Sequence, residues 1–198
     1  MFSVILNKTN NPLCQAVDYK VFGIIIINMR RRTFIEMRVA GIALDPSNNA
    51  PIVLLSDMNN KSFLPIWIGV LEASSIAAAL EDIKLDRPMT HDLLCSMVES
   101  LGARVVKVEI VDLRQNVYFA DIVIERSGEV RSIDSRPSDA IAIALRTKAR
   151  IFVSSHILKE ANGEDMLSQG ILGFEQNRDK LQDILERMDP DDFGKFRA

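Results

Sequence analysis

Two short segments of the chain carry the same kinds of chemically active residues in the same order. Residues 87–92 read Arg-Pro-Met-Thr-His-Asp, and residues 136–139 read Arg-Pro-Ser-Asp. Each segment runs directly into apolar residues, so each predicts the start of a helix. Helix N-termini bind anions, and a neighbouring arginine strengthens such a site. The two segments therefore suggest a phosphate site, with these candidate contacts: Arg87, Arg136, Thr90 and Ser138.

Helix capping explains part of this pattern without any function. Proline is favoured at the first helical position, and Ser, Thr and Asp cap exposed backbone N–H groups. Capping does not explain the arginines, because a cation is unfavourable beside the positive end of a helix. Arg136 is therefore expected either to pair with a carboxylate such as Asp134 or Asp139, or to bind an anionic ligand. Both alternatives stay open at this point.

A histidine and a scattered set of carboxylates could add acid–base or metal chemistry. His91 is a candidate metal ligand, general base or helix cap. The carboxylates that could gather near the predicted helix starts are Glu72, Asp92, Asp121, Asp134 and Asp139. Clustered carboxylates hold Mg²⁺ or Mn²⁺, which activates water and offsets charge on a phosphate. The spacing matches no recognised metal motif, so convergence depends on the fold.

The single tryptophan of the chain, Trp67, has two possible roles. An exposed indole could stack on a nucleobase. Core packing is the favoured interpretation, because Trp67 lies in the apolar segment Leu-Pro-Ile-Trp-Ile-Gly at residues 64–69.

Hydrophobic periodicity predicts an α+β fold. The predicted strands are residues 34–44, 51–57, 62–68, 103–113, 117–126, 129–133 and 149–153, and the predicted helices are residues 69–84, 90–101, 135–148, 154–161 and 174–188. The first six strands form two antiparallel β-meanders, and the last is a short buried strand. We expect them to build a mixed sheet or open barrel packed with three main helices plus a C-terminal helix. The predicted apolar stripe of helix 90–101 consists of Leu94, Met97, Val98 and Leu101.

Composition predicts a globular protein from a reducing compartment. Hydrophobic residues make up 47% and charged residues 26%, close to ordinary globular usage. A net charge of -3 excludes a general basic coat, so any nucleic acid would bind through a local patch. Two cysteines without metal-type spacing, and no convincing export signal, favour a cytoplasmic protein. The apolar run at residues 21–27 is shorter than the roughly 20 residues that span a bilayer, so we expect no membrane contact.

The patterning divides the chain into three parts. Residues 1–33 are expected to be a poorly packed N-terminal extension, with Met29 or Met37 as the true start. Residues 34–161 form the predicted domain. Residues 162–198 form an acidic helical tail, which is expected to serve packing or subunit contact rather than phosphate binding.

Three motifs taken together resemble the bifunctional nuclease domain family. They are residues 64–73, residues 87–93 and residues 134–142, in that order along the chain. The ending Asp-Pro-Asp-Asp-Phe-Gly at residues 189–194 is also similar to bacterial members. The resemblance covers about residues 35–198 and implies a nuclease, a hydrolase of RNA, DNA or both. It also implies a homo-oligomer, which fits the apolar run at residues 141–145.

The resemblance and the residue chemistry together give an expected site. The expected catalytic residues are His91, Asp92, Arg136 and Asp139. The expected ligands of Mg²⁺ or Mn²⁺ are Glu72, Asp92 and Asp139. Arg87 and Arg136 would clamp the phosphate. One alternative is a non-catalytic oligomeric module that binds a small anion or nucleotide at the paired helix starts, and another is a scaffold in which both arginines are paired internally.

Overall fold

The domain is built on a mixed sheet of seven strands in the order β3-β2-β1-β7-β4-β5-β6. A computed structural model describes residues 33–45, 47–83 and 86–161. The strands are β1 (Phe34–Leu44), β2 (Pro51–Asp57), β3 (Phe63–Trp67), β4 (Arg104–Arg114), β5 (Val117–Arg126), β6 (Glu129–Ser135) and β7 (Arg150–Ser154). The helices are α1 (Val70–Leu80), α2 (Thr90–Ser100), α3 (Pro137–Thr147) and α4 (Ser155–Ala161). The predicted α+β class is confirmed.

Two antiparallel meanders form the halves of the sheet, and the last strand joins them. β1, β2 and β3 pair in sequence, as do β4, β5 and β6. β7 lies between the halves, antiparallel to β1 and parallel to β4. The sheet is therefore mixed and open. The sequence predicted either a mixed sheet or an open barrel. Its parallel pair follows from the α3 crossover, because parallel strands need a long connection.

Helix α3 lies at the centre of the hydrophobic core. Residues 141–144 are buried in one cluster with strand residues such as Val108 and Ile110, and Leu145 is partly buried against that cluster. The run at residues 141–145 is therefore explained by packing inside the chain. It lends no support to subunit contact, and the homo-oligomer stays a prediction.

Helix α2 carries its predicted apolar stripe on an exposed side. Its bounds match the prediction closely, and none of its residues is buried. Leu94, Met97 and Leu101 of the stripe are exposed, and Leu93 is exposed beside them. Since α3 already covers the adjoining strands, α2 lies over the flank of α3.

Several predictions concern residues outside the described ranges. They are the poorly packed extension, the alternative start at Met29 and the tail with its helix at residues 174–188. Within the described ranges, no helix is long and apolar enough to cross a membrane.

Candidate functional site

Arg136 is the centre of a charged network at the start of α3. Its Nε donates to Asp139 Oδ2 over 2.8 Å and its Nη2 to Asp139 Oδ1 over 3.0 Å. Its Nη1 donates to Glu72 Oε1 over 2.8 Å. These hydrogen bonds, those to Asp139 first and then that to Glu72, raise the pKa of Arg136 further above its ordinary value. The side chain is nevertheless 65% exposed, so the guanidinium is held in place and still reaches solvent.

Local backbone geometry brings Glu72 to Arg136. Glu72 lies in the first turn of α1, where the helix dipole favours a carboxylate. Its side chain folds back over Gly69, the N-cap residue of that helix, and a Cβ at Gly69 would overlap the carboxylate. The glycine thus leaves room for this position of the Glu72 carboxylate, while its own backbone angles are ordinary. Sequence patterning placed Glu72 in this turn, but nothing local in the sequence connects it to a residue 64 positions away.

His91 supports the network from the first turn of α2. Its Nε2 lies 3.1 Å from Asp139 Oδ1, and its Nδ1 lies 2.9 Å from Ser75 Oγ. A carboxylate only accepts hydrogen bonds, so Nε2 is the donor to Asp139. In the tautomer with its proton on Nε2, Nδ1 accepts a hydrogen bond from the Ser75 hydroxyl. Ser75 is 2% exposed and the His91 side chain 16%. Both ring nitrogens therefore have protein partners on the inner side of the site.

The electrostatic environment keeps Asp139 ionised. Partial burial acts to raise the pKa of this carboxyl, but hydrogen bonds from Arg136 and His91 outweigh burial and lower it. Asp139 was predicted, beside Asp134, as a possible salt-bridge partner of Arg136, and the Arg136–Asp139 ion pair is present. No side-chain cap is made at the start of α3, so the capping interpretation of Asp139 is wrong: both carboxylate oxygens are taken by side chains instead.

Asp92 belongs to a separate ion pair, away from Arg136. Its Oδ1 accepts from Arg146 Nε over 2.6 Å, and its Oδ2 accepts from the Met89 backbone N–H over 2.9 Å. Arg146, in the last turn of α3, also donates to the backbone carbonyls of Ser75 and Ala142. Burial acts to raise the pKa of Asp92, and these hydrogen bonds from Arg146 and Met89 outweigh it and lower the pKa. The sequence did not predict a site role for Arg146, because its partner lies on another helix.

The other predicted phosphate contacts are Arg87, Thr90 and Ser138, and they are less well placed than Arg136 to bind a phosphate. Arg87 and Thr90 are exposed, and neither joins the Arg136 network among the described residues. Ser138 is buried. The two Arg-Pro segments also differ: Arg136 is the N-cap residue of α3, whereas Met89 is the N-cap residue of α2, two positions after Arg87.

Two of the scattered carboxylates gather elsewhere, on the sheet. Asp121 on β5 lies opposite Glu109 on β4 and opposite Asp134 on β6. Opposed partners share a face, so the three form an acidic row across neighbouring strands. The row is separate from the first turns of α1 and α3 that hold Glu72 and Asp139.

A second histidine network was missed by the sequence analysis. His156 Nδ1 lies 2.8 Å from the buried Ser154 Oγ, and His156 Nε2 lies 3.3 Å from Asp112 Oδ1. Arg114 pairs with the other oxygen of Asp112. The chemistry repeats that of Ser75, His91, Asp139 and Arg136, but no motif surrounds it in the sequence. It therefore serves as a comparison network, in which the same residue types have the same arrangement outside the motifs.

The carboxylates do not fit a divalent ion in this arrangement. Arg136 lies between Glu72 and Asp139, and Asp92 is occupied by Arg146. Within the described ranges, no group of three or more His, Cys, Asp or Glu residues is arranged to hold a metal ion. The predicted metal ligands are thus engaged in ion pairs, and Mg²⁺ or Mn²⁺ as cofactor stays a prediction.

Trp67 is more exposed than expected. Its side chain is 44% exposed on the edge strand β3, so the interpretation as a core residue was wrong. Its Nε1 donates to Asp45 Oδ2 over 2.8 Å. The hydrogen bonds that lower the pKa of Asp45 come first from the Ser47 side chain and then from the indole. The ring is thus oriented by a charged partner at the β1–β2 turn.

Comparisons with known proteins bear on the same region. The family model described as "Bifunctional nuclease domain" matches residues 53–165. An uncharacterized protein of Mycobacterium tuberculosis (strain H37Rv) is 36% identical over 162 residues, covering 80% of this chain and 97% of that protein. Bifunctional nuclease 1 of Arabidopsis thaliana is 29% identical over 156 residues, covering 72% of this chain and 48% of that protein.

A rice relative extends the comparison. Bifunctional nuclease 1 of Oryza sativa subsp. indica is 31% identical over 116 residues, 57% of this chain and 35% of that protein. The chain thus spans less than half the length of these plant relatives. The matched residues 53–165 include all of the Arg136 network and more than half of the chain. By its fold, its motifs and this match, the chain belongs to the bifunctional nuclease domain family.

Proposed function

We propose that this protein hydrolyses phosphodiester bonds of RNA or DNA at the Arg136 network. The observation that carries the proposal is an exposed guanidinium held by two carboxylates from two different helices. A guanidinium has five N–H donors, and three hydrogen bonds to Glu72 and Asp139 leave two donors for a phosphate. Family membership supports the same substrate class.

The residues divide into those that would meet the substrate and those that hold them. Arg136 would bind the phosphate oxygens and stabilise the charge that develops in the transition state. Glu72 is the carboxylate with one oxygen left free by Arg136, so it is the candidate acceptor of a proton from an attacking water. His91 is a positioning residue in this scheme, because both of its nitrogens have partners and it holds Asp139 against Arg136.

A non-catalytic module that binds an anion or nucleotide is the second candidate. It is favoured by the enclosed His91 ring and by the ion pairs that occupy the predicted metal ligands Glu72, Asp92 and Asp139. This protein would bind phosphate groups through Arg136 without cleaving them. Both candidate functions use the Arg136 network. They differ in whether the bound nucleic acid is cleaved.

The first experiment compares wild-type protein with Arg136→Ala and Arg136→Lys on labelled single- and double-stranded RNA and DNA. We expect Arg136→Ala to lower kcat/KM by about 10²–10³-fold, as loss of a transition-state donor does elsewhere. Lys keeps the charge but loses the planar fork, so Arg136→Lys should recover only part of the activity. Each assay is run with EDTA, with Mg²⁺ and with Mn²⁺, which tests the predicted cofactor directly.

His156→Gln is the matched control. It alters the same kind of Ser–His–Asp–Arg network outside the motifs, and it should leave cleavage unchanged. Cleavage that persists undiminished in Arg136→Ala would assign the activity to a contaminant. Oligonucleotide binding that depends on Arg136, with no turnover under any metal condition, would instead support the non-catalytic module.

A further inference from the structure

Helix α2 turns an apolar side to solvent. Its inner side holds His91, which supports the Arg136 network, and Cys95, which packs against the core cluster. The outer side of α2 consists of four residues that are between 42% and 62% exposed, namely Leu93, Leu94, Met97 and Leu101. Glu99 is also exposed, but it lies four positions after Cys95 and therefore on the flank nearer to the domain. A surface helix usually turns polar and charged residues to solvent, so the outer side of α2 has the composition of a buried surface.

The hydroxyl groups that flank this outer side already have hydrogen-bond partners. Ser96 Oγ donates to the Asp92 carbonyl over 2.9 Å, and Ser100 Oγ donates to the Ser96 carbonyl over 2.7 Å. Burial of a polar group costs little free energy when the group keeps its hydrogen bond, and these bonds lie within the helix. The outer side of α2 can therefore be covered by another apolar surface without leaving either hydroxyl unpaired.

The central residues of the outer side read the same in both directions along the helix. Leu93 and Leu101 each lie four positions from Met97. Residues four apart are neighbours on a helix surface, so the three form one ridge with Met97 at its centre. Two copies of this ridge can pack antiparallel across a two-fold axis, with Leu93 of one copy beside Leu101 of the other. An isologous contact requires such a self-complementary patch, so the order of residues favours a second copy of the chain as the occupant.

The size of the outer side fits a small dimer interface. Four large side chains that are each about half exposed form an apolar patch on the order of a few hundred Å², the size at which an exposed patch marks an interaction site. Two such patches, together with their polar rims, approach the roughly 1,000 Å² that a specific interface needs. The area is therefore sufficient for a reversible dimer.

We propose that the protein forms a homodimer in which the α2 helices of two copies pack antiparallel through Leu93, Met97 and Leu101. The inference does not depend on the proposed function, because the outer side of α2 contains none of the residues assigned to phosphate binding or proton transfer. It gives the predicted homo-oligomer a surface and a subunit number. Helix α2 then has two roles, since its inner side holds His91 against Asp139 and its outer side joins two subunits.

Molecular mass in solution is the first test. Analytical ultracentrifugation of full-length wild-type protein should show a dimer that dissociates on dilution. Met97→Glu should raise the Kd of this dimer by at least about 100-fold, because two unpaired carboxylates would then meet in an apolar contact. Met58→Glu is the matched control, since Met58 is 61% exposed in the turn after β2, and it should leave the Kd unchanged.

Cysteine cross-linking tests the antiparallel order of the two helices. In a background with Cys14→Ser and Cys95→Ala, Met97→Cys should form a disulfide-linked dimer on mild oxidation, because packed helices bring facing Cα atoms within the roughly 4.4–6.8 Å that a disulfide spans. Leu93→Cys alone should cross-link poorly, whereas a mixture of Leu93→Cys and Leu101→Cys proteins should cross-link efficiently. Efficient cross-linking of Leu93→Cys alone, without cross-linking in the mixture, would mean a parallel pair and would overturn the proposed arrangement.

The remaining outcomes separate a second copy from other occupants of the outer side. A thermal melt shows whether each variant is folded, and cross-linking carries the test if Met97→Glu is not. Wild-type protein that stays monomeric up to about 100 µM would overturn the inference. A monomer in which Met97→Glu lowers the Tm would do the same, because a segment of the same chain, such as residues 162–198, would then cover the outer side. A dimer that Met97→Glu does not weaken would place the interface elsewhere and would also overturn the inference.

Discussion

At the scale of single residues, ion pairs that cross between helices decide what the site is. Arg136 was expected to pair with Asp139 or with an anion, and it pairs with Asp139 while remaining exposed. The first part could be predicted because residues three apart meet on a helix. The second carboxylate, Glu72, could not, because its approach depends on how α1 and α3 pack. Arg146 could not be predicted as the partner of Asp92 either, because the two residues lie on different helices.

The Asp92–Arg146 pair gives a prediction about stability and pH. The pKa of Asp92 is lowered from its ordinary value of 3.8, so the pair stabilises the fold above that pH. The stabilisation is lost as pH falls below about 4 and Asp92 takes up a proton. Asp92→Asn should lower the free energy of unfolding by about 1 kcal/mol at neutral pH, less than is usual for a hydrogen bond to a charged group, because Asp92 is 40% exposed.

Urea unfolding of wild-type and Asp92→Asn protein from pH 7 to pH 3 measures this difference. The gap between the two should shrink below about pH 4, since the wild-type carboxylate is then neutralised too. Glu129→Gln is the control, because its partner Arg131 is as exposed as Glu129 itself and the pair should contribute little. If the difference in unfolding free energy between the two proteins stayed constant across the whole pH range, the stabilisation by the Asp92–Arg146 pair would not depend on the charge of Asp92.

At the scale of elements, patterning predicted where strands and helices lie but not every face that they bury. β5 carries Ala120 and Ile122 on its core face, because alternation fixes the face of a strand. Periodicity also predicted the apolar stripe of α2, but no residue of that helix is buried. Periodicity shows that a helix has an apolar side. It does not show whether the sheet has room for that side once α3 is in place.

The acidic row on the sheet gives a prediction at this scale. Like charges directly opposite each other destabilise a strand pair, and Asp121 faces Glu109 and Asp134. Asp121→Thr removes the central charge and introduces a residue that favours strands. We expect the free energy of unfolding to rise by about 0.5 kcal/mol, measured by thermal or urea unfolding.

Glu125 on the same strand and the same face provides the matched control. Its carboxylate accepts hydrogen bonds from Arg104 and from the Gly128 backbone N–H. Glu125→Thr also replaces a carboxylate with threonine, but it should destabilise the protein because it removes these two hydrogen bonds. If Asp121→Thr destabilised the protein as well, Asp121 would have a stabilising contact that the row of carboxylates does not explain.

At the scale of the whole molecule, β7 is the strand on which both halves of the sheet depend. Val153 is fully buried and lies opposite Ile35 of one meander and Ile110 of the other. The sequence predicted a short buried strand here, but strand order is not encoded in a local pattern. Its place in the middle follows from the α3 crossover, which lays the chain back over the sheet.

Val153→Ala tests this dependence. Removal of buried methyl groups should lower the free energy of unfolding by about 2 kcal/mol. Because β7 joins both meanders, amide hydrogen exchange should accelerate in β1 and in β4 together. Val117→Ala, an exposed change of the same type, should alter stability by less than about 0.5 kcal/mol. Accelerated exchange confined to one meander would mean that the halves are stable independently.

The central position of the last strand also sets an order of events during synthesis. When the ribosome has completed β6, both meanders exist as chain, but the strand that sits between them has not yet been made. Arg136 and α3 are translated after β6 and immediately before β7. The sheet and the Arg136 network therefore both depend on contacts between residues far apart in sequence that are translated late, a slow type of contact to form. A nascent chain that stalls before residue 150 carries the motifs of the site without the strand that joins the two halves of the sheet.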